Sequence, residues 1–169
     1  MEIKATPMAE ANKPGKIQFW LFKSEPEEFS IDHLAASPNQ TAPWTGVRNY
    51  MARNILRDQV KVGDQVFFYH SSTEIKGIAG ICTVVRSAYP DPTALDPRDD
   101  YFDRKATAEN PIWCAVDVQF VTKFKAVIPL ATLKQTRGLE TMMVCQRGAR
   151  LSIQPLMPAE WKIILKMAQ

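Results

Sequence analysis

Apolar side chains crowd residues 17–23, IQFWLFK, and their alternation around aromatics predicts a first strand. The strand ends near Lys23, because Pro26 in the SEP that follows has no N–H to give a ladder. Ser30 is placed to cap a short helix over 31–36, and Pro38 and Pro43 mark an irregular stretch up to Trp44. Between Val47 and Val60, the residues Val47, Tyr50, Met51 and Ile55 fall at i, i+3, i+4 and i+8, which predicts a helix with these four on its buried face. Arg53 and Arg57, four apart, share another face, expected to be solvated.

Gly63 and Asp64 supply turn chemistry before QVFFYH, a strand, and IKGIAGICTVV reads as a second strand paired with it through SSTE. Glycines in that second strand mark close backbone approach. Residues 88–111 carry four prolines and many charges, a long connection of the kind that is functional or mobile. IWCAVDVQFV returns as a strand, followed by helical stretches near 129–134 and 138–144, a strand RLSIQ, and a last helix opened by Pro158 with Trp161, Ile164, Leu165 and Ala168 as its buried stripe. Strands mixed with short helices and long connections predict an α+β domain around a curled sheet or barrel. Residues 17–169 form one domain in this reading. Residues 1–16 form a loose polar tail without the apolar stretch of a secretory signal.

Composition changes this picture little. With 169 residues, 46% hydrophobic and 23% charged, the chain sits near the average of globular proteins, and no run approaches the length of a membrane span. Three widely spaced cysteines, Cys82, Cys114 and Cys145, fit neither a disulfide framework nor a metal motif, so they read as structural thiols in a reducing interior compartment. The net charge of +3 is modest, but it is segregated. Arg48, Arg53, Arg57 and Lys61 face a single acid, Asp58, whereas residues 90–111 hold six acids and three bases.

The usual enzyme signatures are absent: there is no GxGxxG, P-loop, GxSxG or HExxH. Only His33 and His70 offer imidazoles, and two histidines with scattered cysteines match no structural zinc spacing. His70 adjoins Ser71, but neighbours on a strand point to opposite faces and are poorly placed as base and nucleophile. Neither catalysis, cofactor nor metal is expected. What remains is a set of polar groups and aromatics at strand ends and a helix start: KSEP at 23–26, WTGVRNY at 44–50, FYHSS at 68–72 and RLSIQP at 150–155.

FWLFKSEP, WTGVRNYMARN, VGDQVFFYHS, AYPDP and RLSIQP, in that order, resemble the EVE domain family from about Ile17 to Ile164. That family stands with the PUA, ASCH and YTH folds. The resemblance implies a PUA-like curled mixed β-barrel with surrounding helices, and a pocket that reads a modified base, modified cytosine in DNA foremost. It matches Trp44 to an aromatic wall, Lys23 and Ser24 to a polar floor, and Asn49 to a side chain that reads a base edge; Ser71 follows the strand that closes the site. A second aromatic wall has no obvious counterpart, and Tyr69 and His70 are its candidates. Arg48, Arg53, Arg57 and Arg150 are then expected to hold the nucleic-acid backbone, with Ser152 as a further contact. The partner implied is nucleic acid, DNA ahead of RNA, with no membrane and no stated oligomeric form, in the cytoplasm of a bacterium or the nucleus of a eukaryote. An RNA-binding module of the same fold is the alternative. An enzyme acting on nucleic acid, with His70 beside Glu25 or Asp64, is a third.

Overall fold

In strands β1 (Phe19–Ser24) and β3 (Gln65–His70), four consecutive residues of each are buried, because these parallel neighbours have a hydrophobic cluster on each face of the sheet. Trp20, Phe22, Val66 and Phe68 enter one cluster; Phe19, Leu21, Phe67 and Tyr69 enter the other. The computed structural model describes residues 16–169, so all but the last residue of the expected tail lies outside the described residues.

The remaining strands are β2 (Thr41–Trp44), β4 (Gly77–Pro90), β5 (Cys114–Pro129) and β6 (Ile153–Leu156). They complete one six-stranded mixed sheet in the order β2-β5-β4-β3-β1-β6. β3 and β4 form the expected hairpin. β4 and β5 are 14 and 16 residues long, and their pairing shifts register at four places. Such bulges bend and twist a ladder, which curls the sheet. Gly77 permits one close crossing, since a Cβ there would strike the Ile128 carbonyl.

β2 corrects the reading of 38–44 as irregular up to Trp44. It is an edge strand antiparallel to β5, with Pro43 opposite Asp117. Proline is tolerated on an edge, where its missing N–H breaks no second ladder.

Helices α1 (Ile31–Ala36) and α2 (Tyr50–Asp58) cover the first cluster. In α1, Ser30 Oγ accepts from His33 N at 3.1 Å while His33 Nδ1 accepts from Ser30 N at 2.8 Å. α2 begins only at Tyr50, where Asn49 Oδ1 accepts from Ala52 N at 3.0 Å. Its buried face is therefore Ala52, Ile55 and Leu56, and Tyr50 and Met51 are 59% and 65% exposed. The expected face Val47, Tyr50, Met51 and Ile55 is out of phase, because Val47 precedes the helix and small Ala52 carries little weight in an apolar pattern.

The segment after β4 holds a single-turn helix, α3 (Pro92–Leu95). Beyond β5 come α4 (Leu130–Lys134) and, in place of a second helix near 138–144, a 3-10 turn at Met143–Cys145. The strand expected as RLSIQ forms two residues later, at β6. α5 (Pro158–Met167) stacks Trp161 on Phe67 at 3.8 Å and on Phe19 at 4.8 Å between centroids, and Ile164 is fully buried. Leu165 and Ala168 are half-buried against the same cluster. Cys82 and Cys114 are buried and no disulfide joins the described cysteines. Among the described residues no helix is long and apolar enough to cross a membrane.

Candidate functional site

β1 and β3 end side by side, with Ser71 N donating to Ser24 O at 2.9 Å, and the chain entering α2 passes in front of them. Between these ends lies an open cavity of about 610 Å³. Eight of the expected site residues line it: Lys23, Ser24, Trp44, Arg48, Asn49, Ser71, Arg150 and Ser152. Tyr69 and His70 do not. Tyr69 is 2% exposed in the cluster on the far face of the sheet. His70 packs edge-on to Phe68, and its Nε2 accepts from Ile31 N at 3.1 Å, a bond that requires the neutral ring. Burial accordingly lowers the His70 pKa. Among the described residues no carboxylate is hydrogen-bonded to that imidazole.

The aromatic lining comes from Trp44, Phe29 and Tyr101. Trp44 is only 5% exposed and belongs to the core as much as to the cavity. It packs on Phe22 at 5.3 Å and edge-on to Phe68 at 5.2 Å and Phe29 at 6.2 Å. Tyr101 comes from the proline-rich segment that the sequence marked as functional or mobile, and no local pattern singled it out. Its hydroxyl donates to Glu28 Oε2 at 2.6 Å. Its ring lies against Gly46, where a Cβ would approach it to 3.0 Å.

Arg48 holds that segment in place. Its guanidinium donates to the carbonyls of Val47 and Tyr101, to Asp91 Oδ2 at 3.0 Å and to Thr93 Oγ1 at 3.0 Å. All five N–H donors are thus engaged. Asp91 is fully buried, so this ion pair joins the basic segment to the acidic one inside the protein. Arg48 is a strut of the cavity as well as part of its lining, with its donors spent on the protein itself. Arg53 donates to Asn54 and to Ile112 O, and its guanidinium lies 4.9 Å from the Tyr50 ring centroid. Arg57 pairs with Asp58 in solvent.

The groups left for a ligand are fewer and better defined. Lys23 Nζ donates to Ala149 O at 3.2 Å but meets no carboxylate among the described residues. Burial, and then the charge of Lys76, hold its pKa below the usual lysine value. Arg150 is exposed at the rim and has no ion-pair partner among the described residues. Asn49 spends its Oδ1 on the helix cap, and the amide Nδ2 stays unengaged among the described residues. Ser24 Oγ donates to Phe29 O at 2.7 Å and keeps only acceptor capacity. Among the described residues no group of histidines, cysteines and carboxylates could hold a metal ion.

The fold and this cavity define a class: a PUA-like α+β domain with one aromatic and polar pocket at its strand ends. Residues 18–167 match the EVE domain family model, and the chain belongs to that family. Human thymocyte nuclear protein 1 is 44% identical over 166 residues, covering 89% of this chain and 73% of the human one. The crystal structure of human THYN1 protein in complex with 5-methylcytosine-containing DNA superposes with a TM-score of 0.84 at 43% identity, covering 90% of this chain and 98% of that one. A protein from Pseudomonas syringae superposes with a TM-score of 0.85 at 50% identity, over 89% of this chain and 99% of that one.

Proposed function

We propose that this EVE domain binds DNA by taking a modified cytosine into the cavity between Trp44, Tyr101 and Asn49, and performs no chemistry on it. The observation that carries the reading is the cavity's lining, in which aromatic faces stand beside unspent polar groups and two cations, Lys23 and Arg150, that meet no carboxylate among the described residues. Stacking of a base on an aromatic contributes about 1–3 kcal/mol, enough to offset much of the cost of taking it from its neighbours. The Asn49 amide can then donate to the ring N3 or the carbonyl of cytosine, and the cations can meet flanking phosphates. The 5-methylcytosine DNA bound by the human relative supports the same ligand here. A non-catalytic role is supported by His70, whose ring is committed to the start of α1. In a eukaryotic source this reading places the protein in the nucleus, as the relatives' name suggests, and in a bacterial source in the cytoplasm.

One buried methyl is worth about 0.8 kcal/mol, or about fourfold in affinity. The preference for the methylated base is therefore graded. Fluorescence anisotropy at one fixed salt concentration, with oligonucleotides that differ only by one 5-methyl group, should show the methylated strand bound about fourfold more tightly. Equal affinities would contradict the reading. Tighter binding of the matched RNA would move it to the other nucleic acid.

A further inference from the structure

Tyr50 and Met51 open α2 directly after Asn49, a residue of the cavity wall, and both are exposed, at 59% and 65%. Their situations differ. The Tyr50 ring stacks on Trp113 at 4.8 Å and 28°, with the Arg53 guanidinium also upon it. Met51 belongs to none of the hydrophobic clusters. Met51 is thus an exposed apolar side chain two residues past the cavity-wall residue Asn49, next in the chain to the stacked Tyr50. Arg53 beside it has no carboxylate partner among the described residues, and Lys23 and Arg150 add charge at the cavity itself.

Cations suit phosphates, but a bare apolar tip among them needs a second reason. A duplex that surrenders one base supplies it, because the vacated place in the stack is a dry slot between two base faces. Apolar side chains such as methionine, leucine and phenylalanine enter such slots from proteins that unstack DNA. Methionine is long, unbranched and polarizable, and it packs well on aromatic faces. Resting on the base-binding reading above, we infer that Met51 is the wedge that fills the duplex when a modified cytosine leaves it for the cavity. A single strand has no paired stack to hold open, so Met51 acts on duplex binding alone.

The test uses one oligonucleotide carrying a single 5-methylcytosine, offered as a duplex and as a single strand at the same salt. The proteins are the wild type, Met51→Ala, Met51→Leu and Phe102→Ala; Phe102 follows the wall residue Tyr101 and is 39% exposed, which makes it the rival wedge. Met51→Ala should weaken duplex binding about tenfold and leave single-strand binding within about twofold, while Met51→Leu keeps most of the duplex affinity. A 2-aminopurine beside the methylated base should brighten on binding the wild type, and less with Met51→Ala. Met51 packs in no core, so the fold tolerates its loss, and thermal unfolding checks this. Equal losses on both substrates, no loss on either, a duplex-selective loss confined to Phe102→Ala, or a wild type that binds only the single strand would each overturn the wedge. A wild type that ignores methylation in the single strand would instead overturn the base-binding reading, and the wedge with it.

Discussion

Asp64 gathers four donors into a site that leaves it 1% exposed: Gln18 N and Nε2, both at 3.1 Å, Trp20 Nε1 at 2.8 Å and Lys61 N at 2.9 Å. Those bonds favour the carboxylate, but burial outweighs them and raises its pKa above the usual 3.8. A carboxyl whose folded pKa exceeds its unfolded value holds its proton more tightly in the fold. Its stabilising share is complete below the unfolded pKa and is lost as pH rises through the folded one. Asp64→Asn cannot titrate. The stability gap between wild type and Asp64→Asn, from urea unfolding at a series of pH values, should therefore narrow as pH rises from 3.8 towards neutrality. A gap that widens over that range would mean that the hydrogen bonds dominate. The sequence showed Asp64 as half of a turn and as a carboxylate candidate beside His70, but not as this hub, since its donors Gln18 and Trp20 lie more than forty residues away. Trp44 was read as a wall and is equally a core residue. Truncating such a buried tryptophan to alanine costs about 3–5 kcal/mol, so that change would report on packing before it reported on stacking.

The first helix cap and the strand ends beside the cavity were legible because each is local: Ser30 before α1, and the apolar runs of β1 and β3. The phase of α2 was not, since Asn49 sets the helix start and moves the buried stripe to Ala52, Ile55 and Leu56. β2 was hidden by Pro43, whose place on a sheet edge follows only from its partner β5. The wall carrying Tyr101 was beyond local reading altogether. Its hydroxyl partner Glu28 is 73 residues away, and its carbonyl partner Arg48 is 53 away. Gly46 makes this element testable. It has φ +81° and no side chain where the Tyr101 ring rests. Gly46→Ala should lose about 1–2 kcal/mol of stability from the left-handed backbone, and the displaced ring should weaken binding of methylated DNA in parallel. A stability loss with unchanged affinity would remove Tyr101 from the cavity wall.

At the scale of the molecule, the segregated charge has an internal use that the sequence could not reveal. Arg48 of the basic segment is consumed by Asp91 of the acidic one, and the pair fixes the long connection against the sheet. Among the described residues Lys23 and Arg150 line the cavity and meet no carboxylate, which suits the proposed meeting of a chain of net charge +3 with DNA through one base and a few phosphates. The curled sheet, with a cluster on each face, holds this site at the ends of two parallel strands and leaves its far face to α4 and α5. The central claim is that the base itself occupies the cavity. The direct measurement is an isotope-filtered NOE experiment on the protein bound to an oligonucleotide whose single 5-methylcytosine carries a ¹³C-labelled methyl group. The account predicts contacts from that methyl to ring protons of Trp44, Phe29 or Tyr101. Methyl contacts found only to residues outside the cavity would contradict it.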